Sequence, residues 1–249
     1  MPLNRNSASR LLVLLQGIPG HADTTQTLSV WSALFNLQDP NVNRLSRVVA
    51  DRLAAMNREL DLVRAGMAKA GFSEGLYANA LNAFESAFSP MLLPHTWNSA
   101  RQHLTAENLL ALSFCSEILP DEESEITQSE LDEIRGLVSE LNQLLADSTL
   151  PGRLRALLAH HVELMLQALA EYPIAGAKAL REAARTGLGE LIEAKDIVVE
   201  HQASKEVSKL GEAWKKFNNA ADLALKADKL LQLGHKAWEV LSSVWPSGV

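Results

Sequence analysis

Cysteine is nearly missing from this chain: Cys115 stands alone among 249 residues. A lone thiol excludes an intrachain disulfide and a cysteine-rich zinc site. β-Branched residues are also scarce, with Val and Ile supplying 21 positions against 77 for Leu and Ala. Straight-chain helix formers therefore dominate, which excludes a strand-rich architecture and predicts an all-α protein. Positive charge is in short supply. The 23 Lys and Arg face 30 Asp and Glu, for a net charge of −7. That balance argues against sequence-independent binding to a phosphate backbone, so no nucleic-acid partner is expected.

Long apolar runs are absent too. No stretch reaches the roughly 20 apolar residues of a spanning helix. Near the start, Arg5 and Arg10 precede Leu11-Leu12-Val13-Leu14-Leu15 in the manner of a short leader, but Gln16, Gly17 and Pro19 cut the run short. The segment reads as a packing element, and the expected location is cytoplasmic.

Helical periodicity is plain along most of the chain. Leu45, Val49, Leu53, Met56, Leu60, Val63 and Met67 recur three or four residues apart, predicting one amphipathic helix over 42–70 that ends at a left-handed cap on Gly71. A shorter helix capped by Thr24 or Thr25 precedes it. Further helices are expected over 73–88, ended by Pro90, and from Thr105 to Leu119, ended by Pro120. The polar linker Asp121-Glu122-Glu123-Ser124-Glu125 marks a domain boundary or an exposed loop. Leu131 to Leu145 and Leu154 to Leu169 then predict two helices joined by a short turn at Pro151, which makes them antiparallel neighbours. Tyr172-Pro173 is expected to break the second, with an Ala-rich helix over 174–185 after it.

No proline occurs between Pro173 and Pro246, so the pattern runs on after Gly187 and Gly189. These glycines read as a hinge or cap. One unbroken helix from there would measure roughly 80 Å, which predicts a bend near Asn218-Asn219 or Gly234, or a tail extending to a partner. The expected architecture is a multi-helix bundle of antiparallel helices over 1–185 and a C-terminal helical tail over 190–249.

Few residues form a chemical constellation. His160-His161 beside Glu163 lacks the three- or four-residue spacing that puts two metal ligands on one helical face, so no metal and no cofactor is expected. His95 and His103, flanking Trp97, remain an unassigned pair. The glycines at 187 and 189 lack the lysine of a P-loop and the strand of a dinucleotide fingerprint.

Charge is distributed unevenly. From Glu117 to Asp147 ten acidic residues face a single base, Arg135, whereas from Ala203 to Lys236 seven lysines face four acids. Solvated helix faces account for this, and so does an acidic edge, including Glu122, Glu123 and Glu125, that receives a basic partner. The tail adds Trp214, Phe217, Leu231, Trp238, Leu241 and Trp245 at helical spacing. Docked on the body these are core. Undocked, they form a partner-binding or self-associating helix, or one that lies on a membrane surface.

Two resemblances follow from these residues. The spacing Arg155-Ala156-Leu157-Leu158-Ala159-His160 is similar to the Arg-x4-His motif of HEPN-type RNases, which implies Arg155 as phosphate stabiliser and His160 as general acid or base. Five positions on a helix rotate by about 500°, however, leaving the two roughly 140° apart. The segment over 150–183 resembles uncharacterised bacterial all-helical proteins, and implies a bacterial origin without a catalytic role. Together these readings favour a non-enzymatic helical protein-interaction module, an accessory or regulatory component of a bacterial defence or toxin–immunity system. An RNase using Arg155 and His160, and a peripheral membrane protein using the Trp-rich tail, are the alternatives.

Overall fold

In a computed structural model, residues 4–224 are described. They form eleven α-helices and two short 3-10 turns, and their only β feature is an isolated bridge between Gln26 and Thr96. The chain is all-α, as its shortage of β-branched residues requires. It divides into two compact units, one of residues up to 122 with 173–176, the other of residues 123–172 and those from 177 on.

The first unit contains α1 (Ser7–Gln16), α2 (Thr27–Leu34), α3 (Val42–Lys69), α4 (Ala78–Ala87), α5 (Asn98–Arg101) and α6 (Ala106–Ile118). Asn41 caps α3 by accepting from the Arg44 N–H, and Gly71 follows it at φ 78°, the left-handed position expected from the sequence. α2 begins at Thr27 with Gln26 at its N-cap position, so neither Thr24 nor Thr25 caps it. The inward stripe of α3, Val49, Leu53, Met56, Leu60, Val63 and Met67, is buried throughout. α1 and α4 pack against α3 and α6, while Trp31 meets Phe88 and Trp97 edge to face at 5.9 and 5.5 Å.

The leader-like N-terminal run is the packing element expected. α1 buries Leu11, Leu12 and Leu15 and carries Arg10, whose Nη2 lies 2.6 Å from Glu59 Oε2 and 3.1 Å from Glu122 Oε2. Arg10 Nε also donates to the Ile174 carbonyl at 3.1 Å. A buried charge with this many partners is held in one geometry.

The second unit contains α7 (Gln128–Ala146), most of α8 (Gly152–Ala175), α9 (Ala177–Glu193), α10 (Lys195–Glu200) and α11 (Lys205–Ala224). Thr127 and Glu130 form a reciprocal capping box at the start of α7. α11 packs on α7 and α9.

The fold departs from the sequence expectation at four places. Pro173 lies inside α8, and the break falls at Gly176, φ 66°, where a backbone reversal is free of Cβ strain. Gly187 and Gly189 lie within α9, not at a hinge. A Cβ on Gly187 would collide with Trp214 Cζ2, so that glycine is the seat of the indole. Of the two bends expected, the one near Asn218-Asn219 is absent, because the helical path breaks earlier, between α10 and α11, and Asn218 sits inside α11; the other, at Gly234, lies outside the described residues. Finally, the division falls at the acidic linker and not near residue 185. Residues 205–221 share a core with α7, α8 and α9, because Val207, Leu210, Trp214 and Phe217 bury against them.

Candidate functional site

The side chains assigned to partner binding fall into three groups. Trp214 and Phe217 are fully buried in the second unit, packed on one another at 5.2 Å, and so are core, not surface. Leu231, Trp238, Leu241 and Trp245 lie outside the described residues. The acidic trio is split: Glu122 pairs with Arg10, Glu123 is buried with its Oε2 accepting from the Ala177 N–H at 2.6 Å, and Glu125 alone is exposed. A carboxylate at the first residue of α9 satisfies an N–H with no intrahelical partner.

The charge asymmetry is met inside the chain. Lys209 lies 2.9 Å from Glu140 and Lys216 lies 2.6 Å from Glu133, so part of the basic helix is the partner of part of the acidic one. The Lys209 amine is held above its ordinary pKa by hydrogen bonds to Glu212 and then Glu140. The sequence shows two oppositely charged segments; only folding shows that they face each other.

One cleft gathers titratable groups. It has a volume of about 500 Å³ and is lined by Arg153, Leu157 and His160 of α8, by Glu190 and Glu193 of α9, and by Ala194 and Ile197 beyond it. His160, half exposed, sets its Nε2 3.1 Å from Glu190 Oε2. Behind this pair His161 is wholly buried, its Nε2 3.9 Å from the same oxygen and its ring edge-on to Trp214 at 5.7 Å. Among the described residues neither ring nitrogen of His161 has a hydrogen-bond partner, nor does Trp214 Nε1. Burial, with the neighbouring His160 second, pushes the His161 pKa down to about 4, so the ring is neutral at physiological pH.

Arg155 does not line this cleft. It is exposed on another face of α8, which stays helical through both positions, as the 140° separation requires. The Arg155 and His160 pair is therefore not brought together within the chain, and the carboxylates of Glu190 and Glu193 beside His160 oppose a phosphate. His95 is exposed and His103 half-buried, and Trp97 between them is core. Among the described residues no group of three or more His, Cys, Asp or Glu is placed to hold a metal ion. Cys115 is buried, which raises its thiol pKa to about 11 and keeps it protonated.

Sequence reasoning passed over Arg153, Leu157, Glu190, Glu193 and Ile197. The signal was present as spacing: Arg153, Leu157 and His160 stand at i, i+4 and i+7, one face of a helix. A second surface was missed on α6. Leu112 and Cys115 face the core, yet Leu110 is 72% and Phe114 38% exposed on the other side, with Phe72 edge-on to Phe114 at 5.6 Å. No family model, curated protein or solved structure matches the chain. Among the described residues no helix is long and apolar enough to cross a membrane.

Proposed function

We propose that this chain is a non-enzymatic, helical protein-interaction module. The observation that carries the reading is α6. Large apolar side chains of a surface helix normally face the core, yet the outer stripe of α6 exposes Leu110 and Phe114 between the exposed carboxylates of Glu107 and Glu117. The partner surface this stripe fits is an apolar ridge flanked by basic side chains. An arrangement of antiparallel helices is part of the reading, supported by the Lys209–Glu140 and Lys216–Glu133 pairs, which step in opposite senses along α11 and α7.

The test is affinity capture with the parent chain and with the double variant Leu110→Glu, Phe114→Ser. Both changes are at exposed positions, so far-UV circular dichroism should match. The expected result is a specific partner recovered by the parent and lost by the variant, and reconstituted from the purified components. Equal recovery by both overturns the assignment to α6. Binding through Leu231, Trp238, Leu241 and Trp245, including self-association, is tested separately by removing residues 225–249. A deletion starting at residue 203 would strip Trp214 and Phe217 from a core and unfold the second unit.

A further inference from the structure

Within the first unit, the connection between α1 and α2 passes through Ile18, Pro19, Gly20 and His21. Further on it is tied down: the Asn98 N–H donates to the Asp23 carbonyl at 3.1 Å, the Trp97 N–H donates to the Thr25 carbonyl at 2.7 Å, and Gln26 bridges Thr96. Between this connection, α5 and the start of α6 lies a cavity of about 240 Å³. Leu15, Ile18, Trp97, Leu104 and Leu109 give it apolar walls. Walls held in place this way cost a ligand little ordering on entry. His21 and Arg101 complete the lining. The Nε2 of His21 is buried and has no hydrogen-bond partner among the described residues. A buried polar atom left unpaired is costly, and a bound group that hydrogen-bonds the ring removes that cost. Arg101 meets Asp23 through Nη1, in a pair that is more than half exposed at both ends. Such a pair is weak, and a guanidinium has five N–H groups, so Nε and Nη2 remain for a second acceptor.

An apolar cavity of about 150 Å³ takes a benzene ring. The larger volume here takes such a ring with one small substituent. The cation and the imidazole decide what that substituent is, an acceptor that carries negative charge. We propose that this cleft binds a small monocarboxylate whose apolar body is the size of a benzene ring, the body against Trp97 and the leucines and the carboxylate on Arg101 and His21. The site is separate from the outward stripe of α6 and adds a small-molecule function to the interaction role.

Isothermal titration calorimetry of the full chain with benzoate, and with benzamide as its uncharged isostere, tests it, while amide chemical shifts report where each binds. Benzoate is expected to bind saturably and to shift the amides of Gly20, His21, Arg101 and Leu109. Benzamide is expected to bind about ten-fold or more weakly, the loss of one charge-assisted contact. Arg101→Met should remove the preference for benzoate. Asp23→Asn breaks the same ion pair but keeps the cation, so it should bind benzoate at least as tightly as the parent, which separates recognition of the carboxylate from stability of the connection. Both residues are exposed, so circular dichroism should be unchanged. His21→Phe keeps a planar ring without its nitrogens and should weaken benzoate by about three-fold or more. Absence of saturable benzoate binding, shifts confined to other residues, equal binding of benzamide, or an Arg101→Met variant that keeps the preference would each overturn the proposal.

Discussion

The two units differ at the buried side chains most open to test. The first buries charge and pairs it: Arg10 and Glu59 are nearly inaccessible and in contact, with Glu122 as a third member. The second places the ion pairs of Lys209 and Lys216 toward solvent and buries a neutral imidazole, His161, with no hydrogen-bond partner among the described residues. A paired buried charge resists removal of either member, whereas an unpartnered buried base makes stability depend on pH. The first unit should therefore be sensitive to mutation at its ion cluster and the second to acid.

The largest expected effect is at that cluster. Arg10→Ala leaves Glu59 buried without its partner and should destabilise the first unit by about 3–5 kcal/mol. Hydrogen exchange resolved along the chain checks this, with faster exchange in α1, α3 and α6 and little change in α11. An equal loss in both units would dissolve the contrast.

Acid should act on the second unit. His161 has a folded pKa of about 4 against an ordinary value of 6.5, so between these values the unfolded state binds the extra proton. Its contribution is present above about pH 6.5 and is lost as pH falls toward 4, on the order of 3 kcal/mol in all. The groups facing this ring are His160 on its own helix, Glu190 of α9 and the Trp214 indole of α11. Urea unfolding of the parent and of His161→Phe at pH 7.5 and 4.5 isolates the term. The parent should lose more stability than the variant, and parallel losses would show that carboxylates elsewhere dominate.

Smaller effects sharpen the picture of the second unit. Gly187→Ala drives a methyl into the Trp214 ring and should destabilise by about 1–3 kcal/mol, even though alanine is the better helix former. Gly189→Ala, with open space at its Cβ, should be neutral or stabilising. Thermal unfolding of the two variants side by side makes the comparison, and similar shifts would remove the indole from the explanation. Smallest is Lys216→Ala, which breaks an exposed pair and should change stability by about 0–1 kcal/mol. A larger loss on chemical denaturation would mean that these pairs hold α11 in place.

Much of the fold is legible in the order of the residues. The three- and four-residue spacing of α3, its cap at Asn41, the left-handed Gly71 and the stop at Pro120 are local features that the backbone obeys locally. Expectation and fold part where packing outweighs a local signal. Pro173 is tolerated near the end of α8, where few hydrogen bonds are left to lose. Gly187 breaks nothing because it makes room for an indole. The candidate cleft is half legible: His160 stands out, and Arg153 and Leu157 share its helical face, but Glu190 lies on another helix and no spacing within α8 points to it.

Composition and periodicity by themselves determined the helical class, the positions of most helices and the weakness of any case for cysteine or nucleotide chemistry, because these depend on neighbours along the chain. Tertiary structure alone decided that Trp214 and Phe217 are core, that Glu133 and Glu140 meet the chain's own lysines, and that His160 meets Glu190. Those facts depend on which helix faces combine, and an amphipathic pattern says that a face must be buried without saying against what.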